Sequence, residues 1–327
     1  MIDPVALLAF GLVFLGTSLA LSGLLGAVLR CGRFLRPGSG PLARRRAATL
    51  VLALPPILAL GLVLVLAAES AQKLASGTDH CLDHGHHLHL CLVHGGDWAS
   101  RPLAVAFVAV LVVVMTLRSG RRAVELLLGQ RAARSFKRLG RPLTADGLCR
   151  VVPSSQTFAF ALGVLEPVVA VSSRTWANLA PGHRQALLAH ERAHVDRRDL
   201  IARELLWTAS LFGLPATVRH ALSLWQLASE QLCDRQAAGA AGGPGVVAEA
   251  ILAVARLCKT PPPLPPAALG ADSFVVERIE SLLSDEPESA TAAARLLDAG
   301  VLCGLVFILG CALFSEPLHH LLETFLG

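Results

Sequence analysis

The sequence predicts a mainly α-helical integral membrane protein, with about four transmembrane helices and a single α+β unit on the cytoplasmic side. Three observations carry that expectation. Hydrophobic residues make up 54% of the 327, charged residues only 16%, and mean hydropathy is +0.58, a balance far from that of a soluble enzyme. Four runs, 4–29, 47–68, 102–117 and 299–315, contain no charged residue, and roughly 20 apolar residues are what a helix needs to cross a hydrocarbon core. The arginines lie between these runs.

Each run has its own marks. In 4–29 the small residues Gly16, Ser18, Ser22, Gly23 and Gly26 either let the helix pack closely on a neighbour or are ordinary membrane-helix composition. The start, Met1-Ile2-Asp3-Pro4, lacks a positive leader and the basic cluster follows the apolar run, so no cleavable signal peptide is expected. Pro55-Pro56 predicts a kink in 47–68. The runs 102–117, between Arg101 and Arg118, and 299–315, after Asp298, are short and rely on tilt or snorkelling flanks.

Orientation follows from the cations. Arg30, Arg33, Arg36, Arg44, Arg45 and Arg46 occupy the first loop, and Arg118, Arg121, Arg122, Arg131, Arg134, Lys137, Arg138 and Arg141 follow the third run. The loop between has only Lys73 and Arg101, offset by Asp79, Asp83 and Asp97. Cationic loops stay in the cytoplasm. The expected organisation is therefore three membrane helices with an outer loop at 70–101 in residues 1–117, a cytoplasmic domain at 118–298, a fourth helix at 299–315 and a short outer tail at 316–327, with both termini outside. Alanine-rich, arginine-over-lysine usage suits a GC-rich bacterial genome, and the expected location is the inner (cytoplasmic) membrane. Anionic lipid accounts for the net charge of +5, and no nucleic-acid partner is expected.

Within 118–298, Phe158–Ala161 and Val168–Val171 flank Gly163 and Pro167 and predict a small hairpin. It serves either as an edge strand that takes a substrate backbone or as plain packing. Pro181 marks the first turn of a helix that carries His190-Glu191-Arg192-Ala193-His194. Residues 200–220 predict a core or membrane-apposed helix ended by Pro215, and 224–234 a second one with Glu230 and Asp234 on one face. Lys259 to Pro266, rich in proline, is an extended linker or a regulatory cleavage site, and 274–283 resumes helical periodicity.

The HExxH segment is the most informative. Four residues apart on a helix, His190 and His194 share a face and can reach one zinc ion, while Glu191 stands beside them to take a proton from the attacking water. A catalytic zinc takes three protein ligands and keeps one position open, so Glu230 is the natural third. Asp234 could accept a hydrogen bond from a ligating imidazole and fix its tautomer. For the oxyanion, His220 and Arg235 are candidates by proximity in sequence, the chain having no tyrosine.

HERAHVDRRD at 190–199, followed by the Glu230-x-x-Cys233-Asp234 helix, resembles the membrane metallopeptidases typified by the BlaR/MecR signal transducers, over about residues 100–315. The resemblance implies a gluzincin-type zinc peptidase domain with His190, His194 and Glu230 as metal ligands, Glu191 as general base, and Asp234 and Asp199 in support. It implies a membrane zinc endopeptidase with a cytosol-facing site that cleaves a transcriptional repressor, another signalling protein or itself in response to an envelope signal. The well-known members carry a penicillin-binding sensor after the last membrane helix. This sequence ends at residue 327 without one, so β-lactam sensing is not expected and a signal would enter through the outer loop, the membrane helices or a sensor partner. Two other readings stand beside it: a quality-control protease of the HtpX type, and a non-catalytic membrane metal sensor.

The sensor reading draws on the outer loop. His80, Cys81, His84, His86, His87, His89, Cys91 and His94 fall within fifteen residues. They form a surface for a further zinc, copper or nickel ion, or Cys81 and Cys91 pair as a disulfide among solvated histidines, or the histidines act as a pH-sensitive patch.

Overall fold

The computed structural model describes residues 4–31, 40–76, 102–257, 269–270, 274–284 and 290–326. Three long helices come first: α1 (Pro4–Cys31), α2 (Pro41–Ser76) and α3 (Pro102–Leu139). A small sheet follows, β1 (Arg141–Pro142), β2 (Cys149–Val152), β3 (Ala159–Leu162) and β4 (Val168–Ser172). Then come α4 (Ser173–Asn178), α5 (Pro181–Asp196), α6 (Asp199–Ser210), α7 (Pro215–Ala240), α8 (Pro244–Leu257), the two-residue β5 (Leu269–Gly270), α9 (Val275–Leu283), α10 (Ala290–Leu313) and α11 (Ser315–Leu326). The histidine-rich loop and the proline-rich segment 259–266 lie outside the described residues.

All four apolar runs form helices, but with different bounds from those expected. Helices α1 and α2 are long and apolar enough to cross a membrane by length and composition, and Asp298–Leu313 is a shorter apolar helix. The third run continues without a break through the arginine-rich stretch as α3, because long cationic side chains cost a helix little. Helix α2 begins six residues before its apolar run, takes in Arg44, Arg45 and Arg46, and runs through Pro55 and Pro56. Residues 315–326, most of the tail expected at 316–327, are helical.

The sheet has the order β1-β2-β4-β3-β5. The expected hairpin is present, Ala159 opposite Val171 and Leu162 opposite Val168 in antiparallel register. Strand β2 adds to β4 in parallel, and β5 pairs with β3 through Gly270 opposite Phe160. Both central strands are buried along their whole length, which requires cover on two faces. Alternation supplies it: Ala159, Ala161, Val169 and Val171 pack with Leu187 of α5 and Leu200 of α6, while Phe158, Phe160, Leu162, Val168 and Ala170 pack with Ala133 and Phe136 of α3. Helix α5 is thus seated on the sheet along one side.

Its other side meets α7, α8 and α9 through Ala186, Ala237, Val247, Ala250, Ile251 and Leu282. Pro215, expected to end a helix, instead stands at the first turn of α7, where its missing N–H is harmless. Helices α1 and α2 join the same body: Leu29, Ala47, Ala48, Val51 and Leu52 share a cluster with Leu206, Val218, Leu222 and Trp225. The small face of α1 takes the α6–α7 turn. A Cβ on Gly26 would collide with the Thr217 side chain, Ser18 Oγ donates to the Phe212 carbonyl at 2.9 Å, and Ser22 Oγ accepts from Leu214 N–H at 3.0 Å.

Candidate active site

Helix α5 starts with proline at its first turn, and its regular spacing puts His190 and His194 one above the other, ring centroids 5.0 Å apart. Both are buried, as is Glu191 between them, although the helix is polar overall. Burial of three ionisable groups on one face signals a common purpose, since each is costly unless paired. Helix α7 brings Glu230, Cys233 and Asp234 to the same place, all buried.

The distances define two shells. Glu230 Oε2 lies 3.2 Å from His190 Nε2 and Glu230 Oε1 lies 3.5 Å from His194 Nε2. One ligand atom from each of these three residues falls within 4.8 Å of the others. Behind them, His190 Nδ1 is 2.8 Å from Asp234 Oδ1 and His194 Nδ1 is 3.0 Å from Asp199 Oδ2. Asp199 reaches back because Arg198 adopts a left-handed φ of 57°, an uncommon conformation outside glycine, which folds α6 sharply under the end of α5. Each imidazole therefore shows Nε2 to Glu230 and Nδ1 to a carboxylate, the arrangement that fixes which nitrogen carries the proton.

This donor set fits a zinc ion. Two imidazoles and a carboxylate converge in a buried space, with one ligand atom from each within 4.8 Å of the others. Two neutral imidazoles and one carboxylate, with room for a water, are the ligands that a catalytic zinc takes.

Two arginines complete the surroundings, neither of them among the site residues expected from the sequence. Arg278 of α9, 2% exposed, grips Asp234 with both arms of its guanidinium, Nε to Oδ2 at 2.8 Å and Nη2 to Oδ1 at 2.7 Å, and places Nη1 3.2 Å from Glu230 Oε2. Arg45 of α2 forms an ion pair with Asp199 Oδ1, its guanidinium lying 5.1 Å over the Trp225 ring of α7. Among the expected oxyanion partners, His220 is exposed, ten residues or about 15 Å along the helix before Glu230, and Arg235 is half-buried. Neither has a recorded bond to the cluster; Arg278 is the guanidinium that reaches it.

Charge follows this geometry. Burial pushes the Glu191 carboxyl up, only partly offset by the two imidazoles, a direction that suits a proton acceptor working near neutrality. Burial would also raise Glu230 and Asp234, but the Arg278 guanidinium outweighs it, with His194 beside Glu230 and His190 beside Asp234, so both stay below the usual carboxylate range. Cys233 Sγ lies 3.3 Å from His194 Nδ1, and burial pushes its thiol up to about 11. It is a neutral packing group at this site.

Residues 127–257 match the model of peptidase family M48. The protein is a zinc metallopeptidase, a hydrolase of peptide bonds. The match covers α5, α6 and α7 with His190, Glu191, His194 and Glu230, and ends before α9; Arg45 and Arg278 fall outside it. It speaks for the M48 peptidases as a family and not for the BlaR/MecR type in particular. No curated protein and no solved structure matches the chain.

Proposed function

We propose that the chain is a membrane-embedded zinc endopeptidase whose active site faces the cytosol, and that it is regulatory, cutting a repressor or another signalling protein in the manner of the BlaR/MecR transducers. The observation that carries the enzymatic part is the convergence of His190, His194 and Glu230 within 4.8 Å beside a buried Glu191. Apolar helices α1 and α2 and the arginine-rich loops support the membrane and its orientation.

In this reading His190, His194 and Glu230 hold the metal, and Asp234 and Asp199 orient the two imidazoles from behind. When bound, zinc supplies a Lewis acid that makes water a nucleophile near neutral pH and polarises the scissile carbonyl. Glu191 accepts the proton of the attacking water and returns it to the departing amine. Arg278, neutralising Glu230 and Asp234 together, keeps both carboxylates charged.

The test compares the wild-type protein with Glu191→Ala in native membranes, identifying by mass spectrometry each fragment that depends on Glu191. A single cut in a transcriptional regulator is the expected result. Many cuts in damaged membrane proteins would replace the regulatory role with quality control. No Glu191-dependent fragment at all would remove the enzymatic reading in favour of a metal sensor.

A further inference from the structure

The pairing of Arg45 with Asp199 joins a helix outside the family-matched segment to the back of a metal-ligand candidate. Arg45 stands in the second turn of α2, 154 residues from Asp199 in sequence. Its side chain is 13% exposed while Asp199 is fully buried. Asp199 uses its two oxygens separately: Oδ1 takes Arg45 and Oδ2 takes His194 Nδ1 at 3.0 Å. Without Arg45, the contacts described for Asp199 are those with His194 Nδ1 and the weak Cys233 Sγ 3.6 Å away. A buried carboxylate short of a partner turns toward whichever donor remains, and that changes how His194 Nδ1 is held and where Nε2 points.

What holds Arg45 in place is the docking of α2 itself. Trp225 lies under the guanidinium and is almost fully buried in the cluster that Ala47, Ala48, Val51 and Leu52 of α2 share with Leu206 and Leu222. The same helix continues as the apolar segment that reaches Ser76. Movement of α2 past α7 by one helical step, about 1.5 Å per residue, would carry the guanidinium away from Asp199 Oδ1.

We propose that Arg45 is a positioning residue for the metal centre: it holds Asp199 so that Asp199 orients His194, which makes metal retention depend on how α2 is seated against α6 and α7. The proposal rests on the zinc-site reading given above and adds its regulation. A signal that shifts α2 acts on the metal site directly, through one guanidinium and one carboxylate.

The test uses the full-length protein in detergent or nanodiscs, loaded with zinc and titrated with a chromophoric chelator, so that the readout is metal affinity and needs no substrate. Arg45→Gln is expected to weaken zinc retention by about 10–100-fold, the usual effect of losing a group behind a metal ligand, and Arg45→Lys to recover part of it. The double variant Arg45→Gln/Asp199→Asn is expected to lose no more than Asp199→Asn alone, because both changes break the same connection. A purely structural Arg45 would instead give additive losses, which would overturn the proposal, as would unchanged affinity in Arg45→Gln. If Arg45→Gln does not fold, Asp199→Asn decides: it removes the carboxylate through which Arg45 acts, so wild-type zinc affinity in that variant would overturn the proposal. Failure of the wild-type protein to bind one His190-dependent zinc would strike the zinc-site reading instead and is seen in the same titration.

Discussion

The two imidazoles on α5 are held by two parallel constructions that differ in one respect. On one side Arg278 grips Asp234, which meets His190; on the other Arg45 pairs with Asp199, which meets His194. Arg278 is 2% exposed, bonds both oxygens of Asp234 and also touches Glu230. Arg45 meets one oxygen only and keeps 13% of its side chain exposed. The first construction is closed, with a guanidinium shared between two carboxylates of α7; the second is open at one end and anchored to a helix from another part of the chain. A closed arrangement resists change, whereas an open one can be adjusted from outside.

That contrast can be broken or sharpened by substitution. The largest effect is expected where both constructions meet: Glu191→Gln should lower kcat by about 10²–10⁴-fold while zinc content, measured by atomic absorption, stays at wild-type level. Retained activity in that variant would mean that another group takes the proton. Next, Arg278→Met should destabilise the fold by about 3–5 kcal/mol, because it leaves Asp234 and Glu230 as uncompensated buried charges. Thermal unfolding measures this, and a melting temperature near that of the wild type would show that the closed side is no more rigid than the open one. Asp234→Asn and Asp199→Asn should each weaken zinc affinity by about 10–100-fold, with little change in KM; unequal losses would rank the two sides. The smallest effect belongs to Arg121→Ala, which removes an 83% exposed pairing with Glu125 and should move stability by no more than about 0.5 kcal/mol in chemical denaturation.

The sequence showed one half of each construction and hid the other. His190, Glu191 and His194 are readable because a helix makes a spacing of four into a shared face, and Glu230 and Asp234 repeat that logic on α7. The hairpin was readable from its apolar residues around Gly163 and Pro167, while β2 was not, since a four-residue parallel strand depends on a partner twenty residues away rather than on its own pattern. Arg278 left a trace: Val275, Ile279 and Leu282 form the apolar stripe of α9, and Arg278 sits in that stripe where a hydrophobic residue is expected. Arg45 left none, because within Arg44-Arg45-Arg46 its charge is already explained by topology. The breadth of α3, which carries an apolar run and a sheet-covering segment in one helix, was hidden for a related reason. Charge marks where a membrane segment ends and says little about where a helix does.

The α6–α7 turn, fastened to α1 by Ser18 and Ser22, has a bearing on depth. Phe212 packs edge-on against Phe14 at 5.0 Å, so the turn stands level with the middle of a helix that runs from Pro4 to Cys31. With α1 across a bilayer, this turn is a loop at hydrocarbon level, a place where bare backbone polar groups are not tolerated; the two serines answer one carbonyl and one N–H there. From that turn α6 runs 12 residues back to Asp199, about 18 Å at 1.5 Å per residue. On the proposed topology, the candidate site is thus one helix away from a turn set against the middle of α1.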